Sequence, residues 1–494
     1  MKKKTNLRWW GLWLVISVAT AGAVYAAIDS LGNPRPGAAD LVLRSWLLPG
    51  QTSHGHYQIE LACTACHAGA FPSRDDVQEK CESCHAKDLK AADDSHPRAK
   101  FTDPRNADRA ALLDATYCVT CHVEHKPDIT QRAGVTLPRD YCVICHKDIA
   151  KDRPSHTGMA FTTCTDAGCH NYHDNTALYE DFLVRHAGVG RMQDDPAVLA
   201  RDLRVVLEEL GDYPSDTWPP VALSRAEADA GDRLPAGADV HADWAASAHA
   251  QSGVNCSACH VPVAEQGGDP AAATWIAKPT EKACVQCHGA EVNGFLAGKH
   301  GMRLKAGLPA MTPAQARHPM KPERQHDALG CTSCHGSHRF DTGHAAVKAC
   351  ASCHDDEHTR AYFASPHART VAAVARGEAA PETAVTCATC HLPRVAHDTP
   401  DFVRRTLVDH AQGANLTPPI KMARQVCLAC HGLGYAIDAL ADAPLRAANF
   451  PHAPTRQVRS IDMAVSREAE AREARAAQAR AEAAETAEPE GGRS

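Results

Sequence analysis

Cys63-Thr64-Ala65-Cys66-His67 sets a pattern that the 494-residue chain repeats along most of its length. The same Cys-x-x-Cys-His pentad recurs at Cys81, Cys84, His85; at Cys118, Cys121, His122; and at Cys142, Cys145, His146. After a long gap it returns at Cys256, Cys259, His260; at Cys284, Cys287, His288; and at Cys331, Cys334, His335. The last copies are Cys350, Cys353, His354; Cys387, Cys390, His391; and Cys427, Cys430, His431. One further copy is stretched, Cys164-Thr165-Asp166-Ala167-Gly168-Cys169-His170. These eleven copies use all 22 cysteines.

Two thiols three residues apart on one tight turn reach the two vinyl groups of a single porphyrin, and the adjacent histidine stands under the ring. A zinc centre would need two pentads to share a metal, and neither zinc nor a disulfide demands a histidine after every second cysteine. The pattern therefore predicts eleven covalently bound c-type haems, with the pentad histidines as proximal iron ligands. In the stretched copy, Gly168 supplies the backbone freedom that an extra loop over the ring edge requires.

Thirty histidines less eleven proximal ones leaves nineteen, enough to cap every iron from its other side. In the first half the expected distal ligands are His56, His96, His125, His156 and His173. His122 with His125, and His170 with His173, are three apart and would share a face on a helix. The second of each pair is thus expected to reach a neighbouring iron. In the second half the expected distal ligands are His249, His300, His338 and His358, then His367, His397 and His410. His300 lies in Gly298-Lys299-His300-Gly301, where glycines would let backbone approach a porphyrin closely. Met302, Met311, Met320 and Met422 are read as packing residues rather than axial thioethers. An iron with two imidazoles has no vacant position and moves electrons.

Aromatic residues make up only 5% of the chain, so the protein core is thin for its length. Buried porphyrin would fill that deficit, and folding would depend on cofactor. The formal charge of −7 argues against nucleic acid and leaves redox proteins, unidentified, as the expected partners. Lys2, Lys3, Lys4 and Arg8 precede an apolar run from Trp9 to Ile28, about one bilayer span. The lysines would hold the amino end in the cytoplasm, placing the rest on the periplasmic side of the inner membrane. The other reading is a cleaved signal peptide ending at Val24-Tyr25-Ala26 and a soluble exported protein.

Residues 29–50, with Pro34, Pro36, Gly37 and Pro49, read as a stalk. Residues 51–190 form a five-site block and 249–452 a six-site block, separated by a haem-free stretch at 191–248. Pro196 to Leu210 reads as an amphipathic helix within that stretch. No strand alternation persists, so the expected fold class is mostly α and coil with little strand: two multihaem domains wrapped on haem, plus one N-terminal transmembrane helix. The Ala/Glu/Arg-rich tail at 453–494 reads as a solvated helix without an apolar stripe.

Through Cys118 to His125, the stretched site and the histidines ahead of Cys63, the first block resembles the cytochrome c3 and c7 families and the pentahaem carriers of nitrite reduction. That resemblance implies electron carriage. The second block resembles the octahaem cytochromes related to hydroxylamine oxidoreductase. It does so through Cys350 to His354 followed by His358, Tyr362 and Ser365-Pro366-His367, through Cys387 to Arg394, and through Cys427 to Gly434. This resemblance implies oxidation or reduction of a small nitrogen or sulfur compound at one open haem. The block holds six sites rather than eight, and no site has lysine in place of the proximal histidine. The expected function is therefore electron transfer across the periplasm, between inner-membrane donors and soluble or outer-membrane acceptors. The enzyme is the alternative.

Overall fold

The computed structural model describes residues 7–486 apart from 70–71, 93–95, 153–156, 158–171, 174–179, 194–214, 217, 234–238, 267–272, 399–403 and 414–418. Helix α1, Leu7–Gly32, forms from the apolar run. Its part from Trp9 to Gly32 is long and apolar enough to cross a membrane, with Trp9, Trp10 and Trp13 exposed.

The stretch expected to be a stalk is folded. Helix α2, Ala38–Leu47, starts where the Asp40 carboxylate accepts the Gly37 N–H at 2.9 Å. Arg44 on this helix is 1% exposed. Its guanidinium donates to the carbonyls of Ser30 on α1 and of Leu61, the latter at 2.9 Å. One buried arginine thus ties the end of α1 to the backbone just before Cys63. Proline and glycine content hid this contact from the sequence reading.

Beyond α2 most of the described chain is short helices, single 3-10 turns and coil. The longest helix of the first block, Arg74–Ala91, carries Cys81, Cys84 and His85 in its middle. It is capped reciprocally: Ser73 Oγ accepts the Asp76 N–H at 3.1 Å, and Asp76 accepts the Ser73 N–H at 2.8 Å. The one sheet among the described residues is an antiparallel hairpin of β1, Arg394–Asp398, and β2, Arg404–Val408, with His397 opposite Arg405.

A small apolar core joins the end of the first block to the end of the second and to the tail. Phe182 and Leu183 from helix Glu180–His186 pack with Ile420, Ala423, Leu433, Ile437, Leu440 and Ala464. Ala464 belongs to the tail helix Ser460–Thr486, whose first turns dock on Glu180–His186. The tail is therefore not solvated throughout: Ile461 and Ala464 make a local apolar patch that the Ala/Glu/Arg composition conceals. The helix expected at Pro196 to Leu210 lies outside the described residues.

Among the described residues, the second block meets the first at one seam and the stretch just after it at another. Arg303 donates to the Gln58 carbonyl at 2.8 Å, and Lys299 Nζ donates to the Gly55 carbonyl. At the other seam the Gln193 N–H reaches the Cys430 carbonyl at 3.0 Å, and the Gly432 N–H reaches the Arg191 carbonyl at 3.0 Å.

Candidate functional site

Each described pentad closes one turn. The N–H of the histidine donates to the carbonyl of the first cysteine, at 2.8 Å for His67 and Cys63, 2.9 Å for His122 and Cys118, and 2.8 Å for His431 and Cys427. That bond spans four residues, so both thiols leave the same turn as the imidazole. The described cysteines are not joined in disulfides. Among the described residues no three His, Cys, Asp or Glu side chains converge as a metal cluster, so a four-ligand zinc centre is not formed there.

Nine of the described pentad histidines instead each face one other histidine. Ring centres lie 5.9 Å apart for His56 and His85, 6.1 Å for His96 and His146, and 6.3 Å for His122 and His173. They lie 6.0 Å apart for His249 with His288, for His260 with His338, and for His358 with His391. They lie 6.2 Å apart for His300 with His354 and for His335 with His410, and 6.3 Å for His367 with His431. Two imidazoles bound to one metal through bonds of about 2 Å place their ring centres about 6 Å apart. The separations of these pairs therefore fit one iron held between two imidazole nitrogens. His67 has His125 within electrostatic reach. His170 and His156 lie outside the described residues, as do Cys164 and Cys169, and His397 sits on β1.

Hydrogen bonds fix the tautomers. Nδ1 of His96 bonds the Tyr172 carbonyl at 2.6 Å, Nδ1 of His125 the Gly50 carbonyl at 2.7 Å, and Nδ1 of His260 the Ile276 carbonyl at 2.7 Å. Nδ1 of His358 bonds the Arg446 carbonyl at 3.0 Å and Nδ1 of His410 the Val408 carbonyl at 2.9 Å. A carbonyl only accepts, so Nδ1 carries the proton and Nε2 keeps its lone pair, which is open to a metal except at His358, where the Asn449 amide lies 3.3 Å from it. Burial, then the neighbouring His288 and His335, lowers the His249 imidazole to about 4. Burial likewise lowers His300 and His391 to about 4. All three are neutral at neutral pH, the form that ligates.

Successive pentads adjoin. Cys81 shares a hydrogen bond with Cys118, Cys284 with Cys331, and Cys350 with Cys387. Cys66 and Cys84, Cys121 and Cys142, Cys259 and Cys287, Cys334 and Cys350, and Cys390 and Cys427 act on each other electrostatically. Burial pushes the Cys66, Cys259 and Cys390 thiols up to about 11.

One expectation needs correction. His122 and His125 do not share a helix face: His125 has a φ of 60°, and His338, three residues past His335, has a φ of 65°. The glycines around His300 also make room for this chain's own backbone. A Cβ at Gly298 would meet the His410 carbonyl, and one at Gly301 the Phe295 carbonyl.

Sequence reasoning passed over Glu124. Its carboxylate takes His56 Nδ1 at 2.6 Å, the Ser53 hydroxyl at 2.8 Å and the Ser53 N–H at 2.6 Å. Its position between His122 and His125 was the one available signal. Stacked aromatics were also missed: Trp275 on His260 at 4.6 Å and Tyr435 on His431 at 4.9 Å.

A cytochrome c3 family model matches residues 55–147, and a cytochrome c552 model matches residues 241–299. No curated protein and no solved structure matches the chain. The residues that resemble octahaem cytochromes, 350–434, lie outside both matched stretches. One matched stretch falls in each block, both carry attachment pentads, and covalently bound haem with electron transfer is what such families share; the chain is a multihaem c-type cytochrome.

Proposed function

We propose that this chain binds eleven haems and carries electrons through the periplasm, from donors in the inner membrane to soluble or outer-membrane acceptors. The observation that carries this reading is the set of facing imidazoles at 5.9–6.3 Å, each joining a pentad histidine to a histidine from elsewhere in the chain. We assign His56, His96, His125, His173, His249, His300, His338, His358, His367 and His410 as the distal ligands of neighbouring pentads. Each bound haem supplies a ferric–ferrous couple and no open coordination position when two imidazoles hold it.

The protein's part is spacing. Contact between the thiols of successive pentads supports an order that follows the sequence: from Cys63 through Cys145 in the first block, and from Cys256 through Cys430 in the second. The Arg44 clamp sets the first pentad beside the end of α1. With α1 in the inner membrane, that pentad is the one nearest the membrane donor.

Intact-mass measurement with electron paramagnetic resonance on the same matured sample tests this. Eleven covalent haems, all low-spin when oxidised, are expected. A high-spin iron that binds nitrite, cyanide or hydroxylamine would replace the carrier with a multihaem oxidoreductase.

A further inference from the structure

One histidine pair has no pentad. His54 and His318 face each other with ring centres 6.2 Å apart, His54 from the first block and His318 from the second. Around them the charge is positive. Lys299 and Arg317 act on His54, and Arg317 lies over the Tyr57 ring at 4.2 Å. Lys299 is half-buried, and its ammonium donates to the Gly55 carbonyl. Neither Lys299 nor Arg317 takes part in an ion pair among the described residues.

Spacing alone would admit a metal between the two imidazoles. The surroundings oppose it. A metal cation would sit beside two permanent positive charges with no carboxylate to offset them, whereas an anion would relieve their mutual repulsion. Lys299 is half-buried and Arg317 exposed, and no carboxylate balances either among the described residues, so an anion is the complement this pair of charges accepts.

We propose that His54, Lys299, Arg317 and His318 form a carboxylate-binding site at the seam between the blocks, filled by a propionate of the haem held by His300 and His354. This rests on the haem reading of that pair. Lys299 adjoins His300 in sequence, and His318 acts electrostatically on His354. The backbone straps the His318 segment to the same pentad: the Asp355 N–H reaches the Pro319 carbonyl at 3.1 Å, and the Lys321 N–H reaches the Cys353 carbonyl at 2.8 Å. A propionate there is shared by groups from both blocks, so it joins them by charge as well as by the Arg303–Gln58 hydrogen bond.

The test uses full-length matured protein carrying Lys299→Gln, Arg317→Gln or both, with Lys299→Arg as the charge-preserving control. Intact mass comes first: bare thiols at the wild-type pentads would sink the haem reading itself, separately from this site. With all haems present, removing the positive charge leaves a propionate uncompensated and favours ferric iron. One midpoint potential is therefore expected to fall in the Gln variants and to stay near wild type in Lys299→Arg. Titration with succinate separates the sources. No succinate response in wild type supports the porphyrin's own carboxylate; a response lost in the Gln variants assigns the site to a soluble one. Unchanged midpoints without a succinate response overturn the site, as does a metal ion beyond the haem irons that is lost in His54→Phe.

Discussion

Glu124 accepts the Nδ1 proton of His56 at 2.6 Å, and it reaches His56 from between His122 and His125. A carboxylate behind an imidazole orients the ring and raises its basicity as a ligand. His56 faces His85, so this carboxylate bears most directly on that centre, while its charge also reaches His122 and Cys66. Glu124→Gln keeps the shape and removes the charge. It is expected to raise the midpoint potential of that haem most, with smaller shifts at the His122 and Cys66 pentads and the remaining haems in place, read by spectroelectrochemical titration. A uniform shift of all haems would show that Glu124 acts only through the overall field.

The same contact sets an acid limit. Burial works to raise the Glu124 carboxyl, but the hydrogen bonds from His56 and the Ser53 N–H outweigh it and hold it at about 2, below its ordinary 4.5. A depressed carboxylate stabilises the fold above its unfolded pKa, and that stability drains as pH falls through the folded one. The window therefore runs from 4.5 down to about 2. With its side chain 27% exposed, and after discounting for solvent screening, the contribution is about 1–2 kcal/mol. Acid unfolding followed by the Soret band should steepen across this window in wild type and flatten there in Glu124→Gln.

His249 tests distal ligation. It faces His288 at 6.0 Å, stacks edge-on against Phe340 at 4.5 Å, and is held neutral by burial. His249→Ala removes the imidazole and leaves the pentad of Cys284, Cys287 and His288 untouched. The expected product keeps every haem and gains one high-spin iron that binds cyanide. A spectrum without high-spin signal would assign the sixth ligand to another residue.

Arg44 tests the coupling of α2 to the first pentad. Arg44→Met fills similar volume but leaves the Ser30 and Leu61 carbonyls without their donor, a loss of about 1–3 kcal/mol for buried acceptors. Hydrogen exchange should accelerate over residues 38–61 while the distant core at Leu433 stays protected. Exchange unchanged over 38–61 would mean that α2 is held by other contacts.

The turn of each pentad was legible because it is local: the histidine N–H closes back on the carbonyl of the first cysteine. Pairing was legible only as a choice of histidines, since the partners come from remote segments, as His410 does for His335. The three-residue spacing of His122 and His125 misled about local geometry. Left-handed φ at His125 and His338 cannot be read from residues that are not glycine. The folded stretch at 38–47 was concealed because its anchor is one charged side chain, and arginine on a Pro/Gly-rich segment reads as surface. Glu124 was passed over for a similar reason: a carboxylate among histidines acquires its role only when Ser53 and His56 fold onto it.

The seam beside the last pentad gives the sharpest steric test. Gly432 follows His431 and has an ordinary helical-entrance φ of −67°, so alanine is allowed there by the backbone. Space forbids it. A Cβ at that position would overlap the Gly190 carbonyl, which is backbone and cannot swing aside. The Gly432 N–H also donates to the Arg191 carbonyl at 3.0 Å, and Arg191 lies over the Tyr435 ring at 4.6 Å. Gly432→Ala must therefore push residues 189–193 off the pentad, breaking the Gln193 bond to Cys430 and loosening Tyr435 from His431. Such overpacking costs about 1–3 kcal/mol. Haem attachment at Cys427 and Cys430 should survive, because the turn itself is intact. The expected reading is a shifted potential and faster proteolysis near residues 189–193, with the other haems unmoved. A variant with wild-type protease resistance would show that this seam yields without cost and does not hold the end of the first block to the final haem.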